Sequence, residues 1–430
     1  MHVLPQLREL EQRFAREVAV VGVHSGKYIT ERETSRIREA ALRLGNTHPI
    51  VNDRQFRVWR SYAVRAWPTL VVVDPSGYVL GSHAGEFTAD EIAPVLARVI
   101  AANERSGALV RQKRHVPPDE PAVRPGALRY PGSVEVDGDR IAIADSGHHR
   151  VLIGRLTDDG ARVRLELSVG GERGFENGPG AGARFDFPQG MAFHDDTLYV
   201  ADAGNHAIRA VDTRTGHVRT VAGTGAQLRT RADLRAGALS SPWDVAVPGD
   251  RLFIAMAGTH QIWSLELPEG RPRVHSGSGH EDIVDGPHDD AALAQPMGLA
   301  PRGDRLYFVD AESSAVRWTD ISRDDSVGTV IGTGLFDFGD RDGTGDEVRM
   351  QHQQGIALHS SGRLLVADSY NDALKWVNPE TRVAETWVRG LHEPGGIACG
   401  THHAYVADTN AHRVARVGWE TGVIEGVEVG

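Results

Sequence analysis

Histidine and aspartate, side chains suited to binding metals or moving protons, recur at equivalent places in the second part of the chain. The recurring imidazoles are His149, His206, His260 and His412. The recurring carboxylates are Asp145, Asp202, Asp310, Asp368 and Asp408, with Met256 at the same place in one copy. Each copy carries one such turn, pointing away from the next, so we expect the imidazoles not to share an ion. The recurrence predicts structural roles instead: the His caps a turn, and the Asp fixes the hairpin by accepting from the turn that follows.

The polar positions end short apolar runs, as in Leu198-Tyr-Val-Ala-Asp202, and apolar residues resume a few positions later. An apolar run bounded by Gly, Asn or Asp predicts a strand and a tight turn, and its resumption predicts a hairpin. A proline lies fourteen residues before the Asp or Met position in five copies, at Pro131, Pro188, Pro242, Pro296 and Pro394. In the fifth copy along the chain, Gln353 takes its place, fifteen residues before Asp368.

Each copy predicts four strands, which in the second copy lie at 190–193, 198–201, 207–212 and 218–222. Self-similarity at a period of about 40 to 60 residues, with strands inside each period, indicates propeller blades, and six copies predict six blades. The pattern Asp202-x-x-Asn205-His206-x-Ile208-Arg209 resembles the NHL repeat, over residues 128–430. The resemblance implies an all-β six-bladed propeller and says much less about function. Because all six blades are complete in order, we expect the ring to close by packing of the first blade against the last.

Residues 1–104 predict a separate α/β domain. The predicted elements are a helix over 2–14, a buried strand over 18–23, a helix from Thr30 to Gly45, strands over 70–73 and 78–81, and a helix from Thr88. Both later helices are assigned from capping boxes, Thr30-x-x-Glu33 and Thr88-x-x-Glu91. Pro94 should bend the last helix or delay its start.

The segment Val64-Arg-Ala-Trp-Pro-Thr-Leu70 resembles the cis-proline loop of the thioredoxin family. The resemblance implies that the Trp67–Pro68 bond is cis, and that Trp67, Pro68 and Thr69 line the groove where a redox Cys-x-x-Cys would sit. Neither of those cysteines is present, because the only cysteine of the chain is Cys399. The single thiol also excludes an intramolecular disulfide and a cysteine-rich metal site.

Together these features resemble NHL-repeat-containing proteins with an N-terminal thioredoxin-like domain, in which a Trp-x-x-Cys-x-x-Cys segment precedes the position of Met1. A thioredoxin sheet without its central strand would leave strands 18–23 and 70–73 with unpaired facing edges. We therefore hypothesise that Met1 is an internal start. The competing interpretation is a natural cysteine-less domain.

Residues 105–127 are the predicted linker, with four prolines and a short basic run that we expect to be solvated. Residues 1–115 carry 17 Lys and Arg against 12 Asp and Glu, while the rest carries 30 against 46. The opposite signs predict that the two domains dock on each other, and the acidic propeller makes nucleic acid an improbable partner. A local patch of Arg229, Arg231 and Arg235 leaves RNA open as a minor alternative. No membrane segment or signal peptide is evident, so a cytoplasmic location is expected.

Two long loops between blades are strongly acidic, and Asp285, Asp289, Asp340 and Asp342 are their candidate ligands for a cation or a basic peptide. No regular calcium-loop spacing is present, and solvated loop charge is the favoured interpretation. We expect no metal and no cofactor.

Six-bladed propellers include calcium-dependent lactonases and amidating lyases, so we considered a channel enzyme. Asp244 is the only acid found at the channel-lining Pro-x-Gly positions, which predicts a closed or passive channel. No segment resembles a nucleophile elbow, which disfavours a Ser-His-Asp hydrolase. The sequence thus predicts a protein- or peptide-binding scaffold, since propeller loops are presented from a rigid frame. The chief alternative is a thiol–disulfide oxidoreductase whose cysteines lie upstream of Met1.

Overall fold

The computed structural model describes residues 3–111, 127–268, 270–322 and 325–430. The chain forms two compact units, Met1–Arg124 and Pro125–Gly430. Most of the predicted linker, residues 112–126, lies outside the described residues. Within those residues, no helix combines the length and the apolar character needed to cross a bilayer.

Over residues 3–111, the first unit contains four α-helices and four short strands. The helices are α1 (Val3–Arg13), α2 (Thr34–Arg43), α3 (Arg57–Ser61) and α4 (Ala89–Arg105). The strands are β1 (Gly22–His24), β2 (Ile50–Asn52), β3 (Thr69–Val73) and β4 (Val79–Ala84). Leu10 of α1 packs with Phe87, Ala89 and Ala93 at the start of α4, and Leu70 of β3 packs against this cluster.

Helix α4 begins where the sequence predicts, because Thr88 and Glu91 form a complete capping box. Pro94 lies inside this helix and does not delay its start. The predicted box at Thr30 is wrong. Residues Thr30–Arg32 form a 3-10 turn, and Glu33 becomes the N-terminal residue flanking α2 without a side-chain cap.

The strands of the first unit pair in two separate ladders. Strand β1 runs parallel to β2, and β3 runs antiparallel to β4, with no ladder joining the two pairs among the described residues. The prediction of a buried strand over 18–23 is wrong in two respects, because β1 begins only at Gly22 and Val23 is 44% exposed. A strand is buried on both faces only when neighbouring elements cover it, and here that cover is incomplete.

The second unit is a six-bladed propeller. Blade 1 contains β5 (Ser133–Asp137), β6 (Arg140–Asp145), β7 (Arg150–Leu156) and β8 (Arg162–Gly170). Blade 2 follows the short β9 (Gly178–Pro179) and contains β10 (Pro188–His194), β11 (Thr197–Asp202), β12 (Ala207–Asp212) and β13 (His217–Ala222). Blade 3 follows α5 (Arg231–Ala236) and contains β14 (Pro242–Ala246), β15 (Arg251–Met256), β16 (Gln261–Glu266) and β17 (Arg273–Ser276).

The other three blades repeat this plan. Blade 4 contains β18 (Gly286–Pro287), β19 (Pro296–Arg302), β20 (Arg305–Asp310), β21 (Ala315–Asp320) and β22 (Ser326–Ile331). Blade 5 contains β23 (Gly343–Thr344), β24 (Gly355–Leu358), β25 (Leu364–Asp368), β26 (Ala373–Asn378) and β27 (Val383–Arg389). Blade 6 contains β28 (Pro394–Cys399), β29 (His403–Asp408), β30 (Arg413–Gly418) and β31 (Ile424–Gly426), and β32 (Glu428–Val429) ends the chain.

The fourteen-residue spacing of the repeat has a direct structural cause. Each blade begins with an antiparallel pair of strands, and Pro188 lies opposite Asp202 across that pair. Pro296 and Asp310 are related in the same way. The spacing therefore measures one hairpin, out along the innermost strand and back along the second.

The ring closes by more than packing. Strand β32 pairs in parallel with β8, the outer strand of blade 1, so the last residues of the chain join the first blade. The backbone N–H of Gly430 donates to the carbonyl of Val163 at 3.3 Å, and that of Glu428 donates to Ala161 at 2.9 Å. The expectation that no strand passes between the ends was wrong, because the apolar repeat alone does not reveal a two-residue strand.

The long loops between blades are ordered additions to the sheets. Strands β9, β18 and β23 pair antiparallel with β13, β22 and β27, which are the outer strands of blades 2, 4 and 5. The loop before blade 3 instead forms α5, which Thr230 and Asp233 cap reciprocally. Arg229, Arg231 and Arg235 lie exposed in and beside this six-residue helix.

Candidate functional site

The residue that ends each hairpin turn bonds one blade to the next. In every blade a short 3-10 turn is followed by a residue in the left-handed region, with φ between 50° and 55°. His, Ser and Asp occupy these positions. Asp and His are among the non-glycine residues that tolerate this conformation best.

The side chain of that residue accepts a hydrogen bond from a backbone N–H just ahead of the following blade. The pairs are His149 Nδ1 with Phe187 (3.2 Å), His206 Nδ1 with Ser241 (2.9 Å), His260 Nδ1 with Gln295 (3.2 Å), Ser314 Oγ with His352 (3.3 Å), Asp372 Oδ1 with Glu393 (2.8 Å), and His412 Nδ1 with Tyr130 (3.1 Å). The last pair crosses the junction between blades 6 and 1. These histidines thus connect neighbouring blades rather than capping their own turns.

The recurring Asp likewise reaches beyond its own turn. One carboxylate oxygen accepts from the backbone N–H two residues before the Pro or Gln position. The donors are Arg129 for Asp145 (2.7 Å), Asp186 for Asp202 (2.8 Å), Ala294 for Asp310 (2.8 Å), Gln351 for Asp368 (2.7 Å) and His392 for Asp408 (2.6 Å). The prediction that the Asp carboxylate accepts from the turn that follows it is therefore wrong for this oxygen. The carboxylate instead holds the segment that leads into its own blade.

The second carboxylate oxygen pairs with a cation from the next strand. The cations are Arg150, Arg209, Arg317, Lys375 and Arg413, at 2.7, 2.8, 3.0, 3.8 and 2.8 Å. The side chains of Asp202 and Arg209 are both 0% exposed. Burial raises the pKa of Asp202 to about 7, against the opposing influence of Asn205 and Arg209. The carboxylate is 0% exposed in all five pairs, whereas Arg150 and Arg413 are 27% and 36% exposed. The pairs therefore hold neighbouring strands together from the interior.

Blade 3 dispenses with the pair altogether. Met256 replaces the Asp, and its sulfur lies 3.4 Å from the Ser240 nitrogen that would otherwise bond the carboxylate. Gln261 occupies the position of Arg150 and bonds the Gly277 carbonyl at 2.9 Å. The acid and the base are thus both absent from this blade. Their joint absence is expected, because a single buried charge without its partner would be strongly destabilising.

The acidic loop residues are mostly partners of buried cations. Asp285 bonds Arg317 at 3.0 Å, and Asp340 and Asp342 bond Lys375 at 2.9 and 2.8 Å. Burial alone would lower the pKa of Lys375, but Asp368 and the two loop carboxylates outweigh it and raise that pKa. These three carboxylates stay partly exposed, with side chains 49%, 32% and 44% exposed. The loop charge is therefore solvated, as interpreted from the sequence, but it is paired with buried cations rather than free. Asp289 is exposed.

The channel holds a second acid that the sequence argument missed. A cavity of about 190 Å³ on the axis is lined by Glu135 and Asp244. Burial raises the pKa of Asp244 to about 7, and burial followed by the charge of Asp244 raises the pKa of Glu135 well above its usual value. Glu135 could have been noticed, because the five other blades carry alanine there, at Ala192, Ala246, Ala300, Ala357 and Ala398.

The channel acids do not form a metal site. Across the described residues, no group of three or more His, Cys, Asp or Glu side chains is placed to hold an ion. Asp244 accepts from the backbone N–H groups of Val245 and Leu299, at 2.9 and 2.8 Å. Burial raises the pKa of the Cys399 thiol to about 12, so this sulfur is not poised for thiolate chemistry.

In the first unit, the predicted groove residues lie together. The Trp67–Pro68 bond is cis, and Trp67 is 48% exposed. The Trp67 indole donates to the Ser25 carbonyl at 2.8 Å and packs on Trp59, with ring centroids 4.5 Å apart. Thr69 Oγ1 donates to the Ala66 carbonyl at 2.7 Å.

A groove between blades 5 and 6 is the feature of the propeller that sequence reasoning missed entirely. Its cavity is about 410 Å³ and is lined by His359, Arg363, Trp376, Glu385, Thr386, Trp387 and Trp419. We call this set the tryptophan groove. Three of the eight tryptophans of the chain fall in it, which was the available signal.

The rings of the tryptophan groove support one another. Trp387 and Trp419 stack with centroids 5.3 Å apart and planes 20° apart, and Trp376 lies 5.3 and 5.7 Å from them. The His359 ring stands edge-on to Trp419 at 4.6 Å. The Arg363 guanidinium lies 4.4 Å over the Trp376 ring and bonds Glu385 at 2.9 Å. The groove is therefore formed before any ligand arrives.

The fold and the repeat define the class: the protein is a six-bladed NHL-repeat propeller joined to a thioredoxin-like unit. A Thioredoxin-like family profile matches residues 1–79. The chain is similar in sequence to NHL repeat-containing protein 2. It is 35% identical to the human protein of that name over 483 residues, covering 99% of this chain and 65% of the human one. The chain thus spans about two thirds of the length of that relative.

Other similarities extend this result. The chain is 35% identical over 448 residues to Protein SUPPRESSOR OF QUENCHING 1, chloroplastic, of Arabidopsis thaliana, covering 95% of this chain and 42% of that protein. Among solved structures, a chain of a nidogen/laminin complex matches with a TM-score of 0.47 and 13% identity, over 66% of this chain and 91% of that one. Virginiamycin B lyase from Staphylococcus aureus matches with a TM-score of 0.43 and 9% identity, over 69% and 84%. Neither of these two structural matches carries an argument about function.

Proposed function

We propose that the chain is a protein- or peptide-binding scaffold, and that the tryptophan groove is its recognition site on the propeller. The observation that carries this proposal is an open aromatic cavity in a propeller whose recurring charged side chains are committed to internal bonds. Aromatic rings concentrated in a pre-formed groove are typical of recognition surfaces, because they bury a large apolar area at low cost in conformational entropy.

The alternative of channel catalysis has less support. Glu135 and Asp244 face a cavity of about 190 Å³, below the size usual for small-molecule sites. The His and Asp of the repeat, which first suggested chemistry, hold blades together. RNA binding is also disfavoured, since residues 116–430 carry 46 acidic against 30 basic side chains.

Selection of a displayed random-peptide library on the full chain tests the proposal. We expect peptides that bind the parent chain and bind the Trp387→Ala chain at least about tenfold more weakly, as for an interface anchor. Trp318→Ala is the matched control, because Trp318 occupies the position of Trp376 one blade earlier and carries Arg305 over its ring at 3.9 Å. Selection that yields no binders would contradict the proposal.

Thiol–disulfide exchange in a longer chain is the second candidate, supported by the Thioredoxin-like match over residues 1–79. Cys399 cannot supply it, because it is a single half-buried thiol in the other unit. The test is insulin reduction by an upstream-extended chain against its Cys→Ser control. Turnover equal to the control would eliminate this candidate. A cytoplasmic location belongs to the same set of proposals, and imaging of the tagged chain checks it.

A further inference from the structure

We infer that the tryptophan groove binds a proline-rich peptide in the polyproline II conformation, with basic residues flanking the prolines. This inference rests on the proposed function and names the chemical class of the partner. It follows from the hydrogen-bonding groups that the groove presents, from the geometry of its rings, and from the charge of the propeller around it.

The groove presents N–H donors that have no hydrogen-bond acceptor among the residues that the structure describes. Trp376 is only 7% exposed, yet its indole N–H donates to no described residue. The Trp387 indole likewise makes no hydrogen bond with the described residues, whereas the Trp419 indole donates to the Gly400 carbonyl at 3.0 Å. A donor without an intramolecular acceptor takes its hydrogen bond from solvent or from a ligand, and a ligand that supplies the acceptor replaces the solvent without loss.

His359 adds a third donor. Its Nδ1 accepts from the backbone N–H of Ser361 at 3.2 Å, which places the proton of the neutral ring on Nε2. Burial, followed by the charge of Arg363, lowers the pKa of His359, so the ring is neutral near pH 7. The carboxylate of the groove, Glu385, is already bonded to Arg363. The site therefore presents indole and imidazole N–H donors, and a matching ligand must supply hydrogen-bond acceptors.

A proline-rich segment matches this demand better than other ligands. Proline has no backbone N–H, and in polyproline II its carbonyls are free to accept while its rings form a flat apolar surface. Aromatic-lined grooves are the usual receptors of such segments. A saccharide would bring many hydroxyl donors for which Glu385 is the only carboxylate acceptor. The cavity of about 410 Å³ has the volume usual for a ligand pocket.

Charge complementarity adds the basic flanks. Residues 116–430 carry an excess of acidic over basic side chains, 46 against 30. Glu420 follows Trp419 directly and is exposed, and the Glu385 side chain is 59% exposed beside Arg363. Lys or Arg beside the prolines would be attracted to this rim, while an acidic ligand would be repelled by the whole unit.

The test uses fluorescein-labelled decaproline flanked by two arginines at each end, titrated with the full chain and followed by anisotropy. The comparison probe carries the same arginines around a Gly-Ser segment of equal length. We expect the proline probe to bind at least tenfold more tightly than the Gly-Ser probe. Trp387→Phe, which keeps a ring and removes the N–H, should weaken the proline probe roughly fivefold, the loss expected for one hydrogen bond. Trp318→Phe should leave binding unchanged.

Each other outcome overturns the inference in a recognisable way. Equal binding of the two probes would show that the groove takes a cationic peptide irrespective of proline. An unchanged affinity in both Trp387→Phe and Trp387→Ala, each with the parent urea midpoint, would place the peptide elsewhere. If library-selected peptides occupy the groove but the proline probe does not bind, the inference falls and the scaffold function stands. If neither binds, both fall.

Discussion

The buried pair of Asp202 and Arg209 makes the sharpest quantitative prediction. Both side chains are 0% exposed, and Arg209 also donates to the carbonyls of Arg184 and Glu176 at 3.0 and 2.7 Å. Asp202→Met leaves the guanidinium buried without its counter-charge, which should cost about 3 to 5 kcal/mol of unfolding free energy. Arg209→Met leaves the Asp202 carboxylate with two donors, Asn205 and the backbone N–H of Asp186. Because the pKa of Asp202 is already raised, this carboxylate can take up a proton, and we expect a smaller loss of unfolding free energy, about 2 to 4 kcal/mol.

The double variant should cost no more than the larger single one, because blade 3 already folds without the pair. There Met256 stands at the Asp position and its sulfur faces the Ser240 N–H at 3.4 Å. The expected coupling between the two sites is at least about 2 kcal/mol. An Asp202→Met and Arg209→Met pair whose costs simply add would refute the argument that the charges exist for each other.

Urea unfolding at pH 8, followed by tryptophan emission, is the assay. At this pH the Asp202 carboxylate is ionised, since burial raises its pKa only to about 7. Six of the eight tryptophans lie beyond residue 125, so the signal reports mainly on the propeller. Exposed Arg214→Met, whose partner Asp196 is also exposed, is the control and should cost less than about 1 kcal/mol.

Three further predictions test other features. His149→Asn keeps an acceptor for the Phe187 N–H but cannot titrate. Because burial lowers the pKa of His149 in the folded state, the unfolded state binds the proton better below about pH 6.5, and the parent should lose stability relative to the variant between pH 7.5 and pH 5. A difference in urea midpoint that stays constant over this pH range would contradict the prediction. Deleting residues 428–430 removes three backbone hydrogen bonds to blade 1 and should lower the unfolding free energy by about 2 to 3 kcal/mol. Glu428→Gln breaks only an exposed ion pair and should lower it by less than about 1 kcal/mol. Equal losses for the two variants in urea unfolding would contradict the role of β32 in closing the ring. Cys399 should react with a thiol reagent at pH 8 only after unfolding, since burial raises its pKa to about 12, and rapid labelling of the folded chain would show that account wrong.

The sequence predicted the repeat well because a strand and its turn are local features. The hairpin, the recurring Asp and the six-blade count are all visible in runs of about fifteen residues, and the structure bears out the propeller. The hydrogen-bond partners of the recurring carboxylate could not be predicted in the same way. The partner of Asp202 on the next strand lies seven residues on, but its backbone donor belongs to Asp186, in the segment before the blade.

The same limit explains the missed groove. Trp376, Trp387 and Trp419 belong to two blades and meet only when blade 6 packs on blade 5. Single tryptophans in strands are ordinary core residues, so each appeared structural when considered alone. The pairing of the acidic loops was missed for a related reason. Asp340 and Asp342 bond Lys375, and nothing in the local sequence around the loop indicates this partner.

The proposed recognition function is tested most directly by the indole N–H resonances of the full chain, recorded with 15N labelling while a library-selected peptide is added. The resonances of Trp376 and Trp387 should shift as their N–H groups gain acceptors, while those of Trp263 and Trp318, outside the groove, should stay in place. Saturation of the chain by peptide with no movement of the Trp376 and Trp387 resonances would contradict the account.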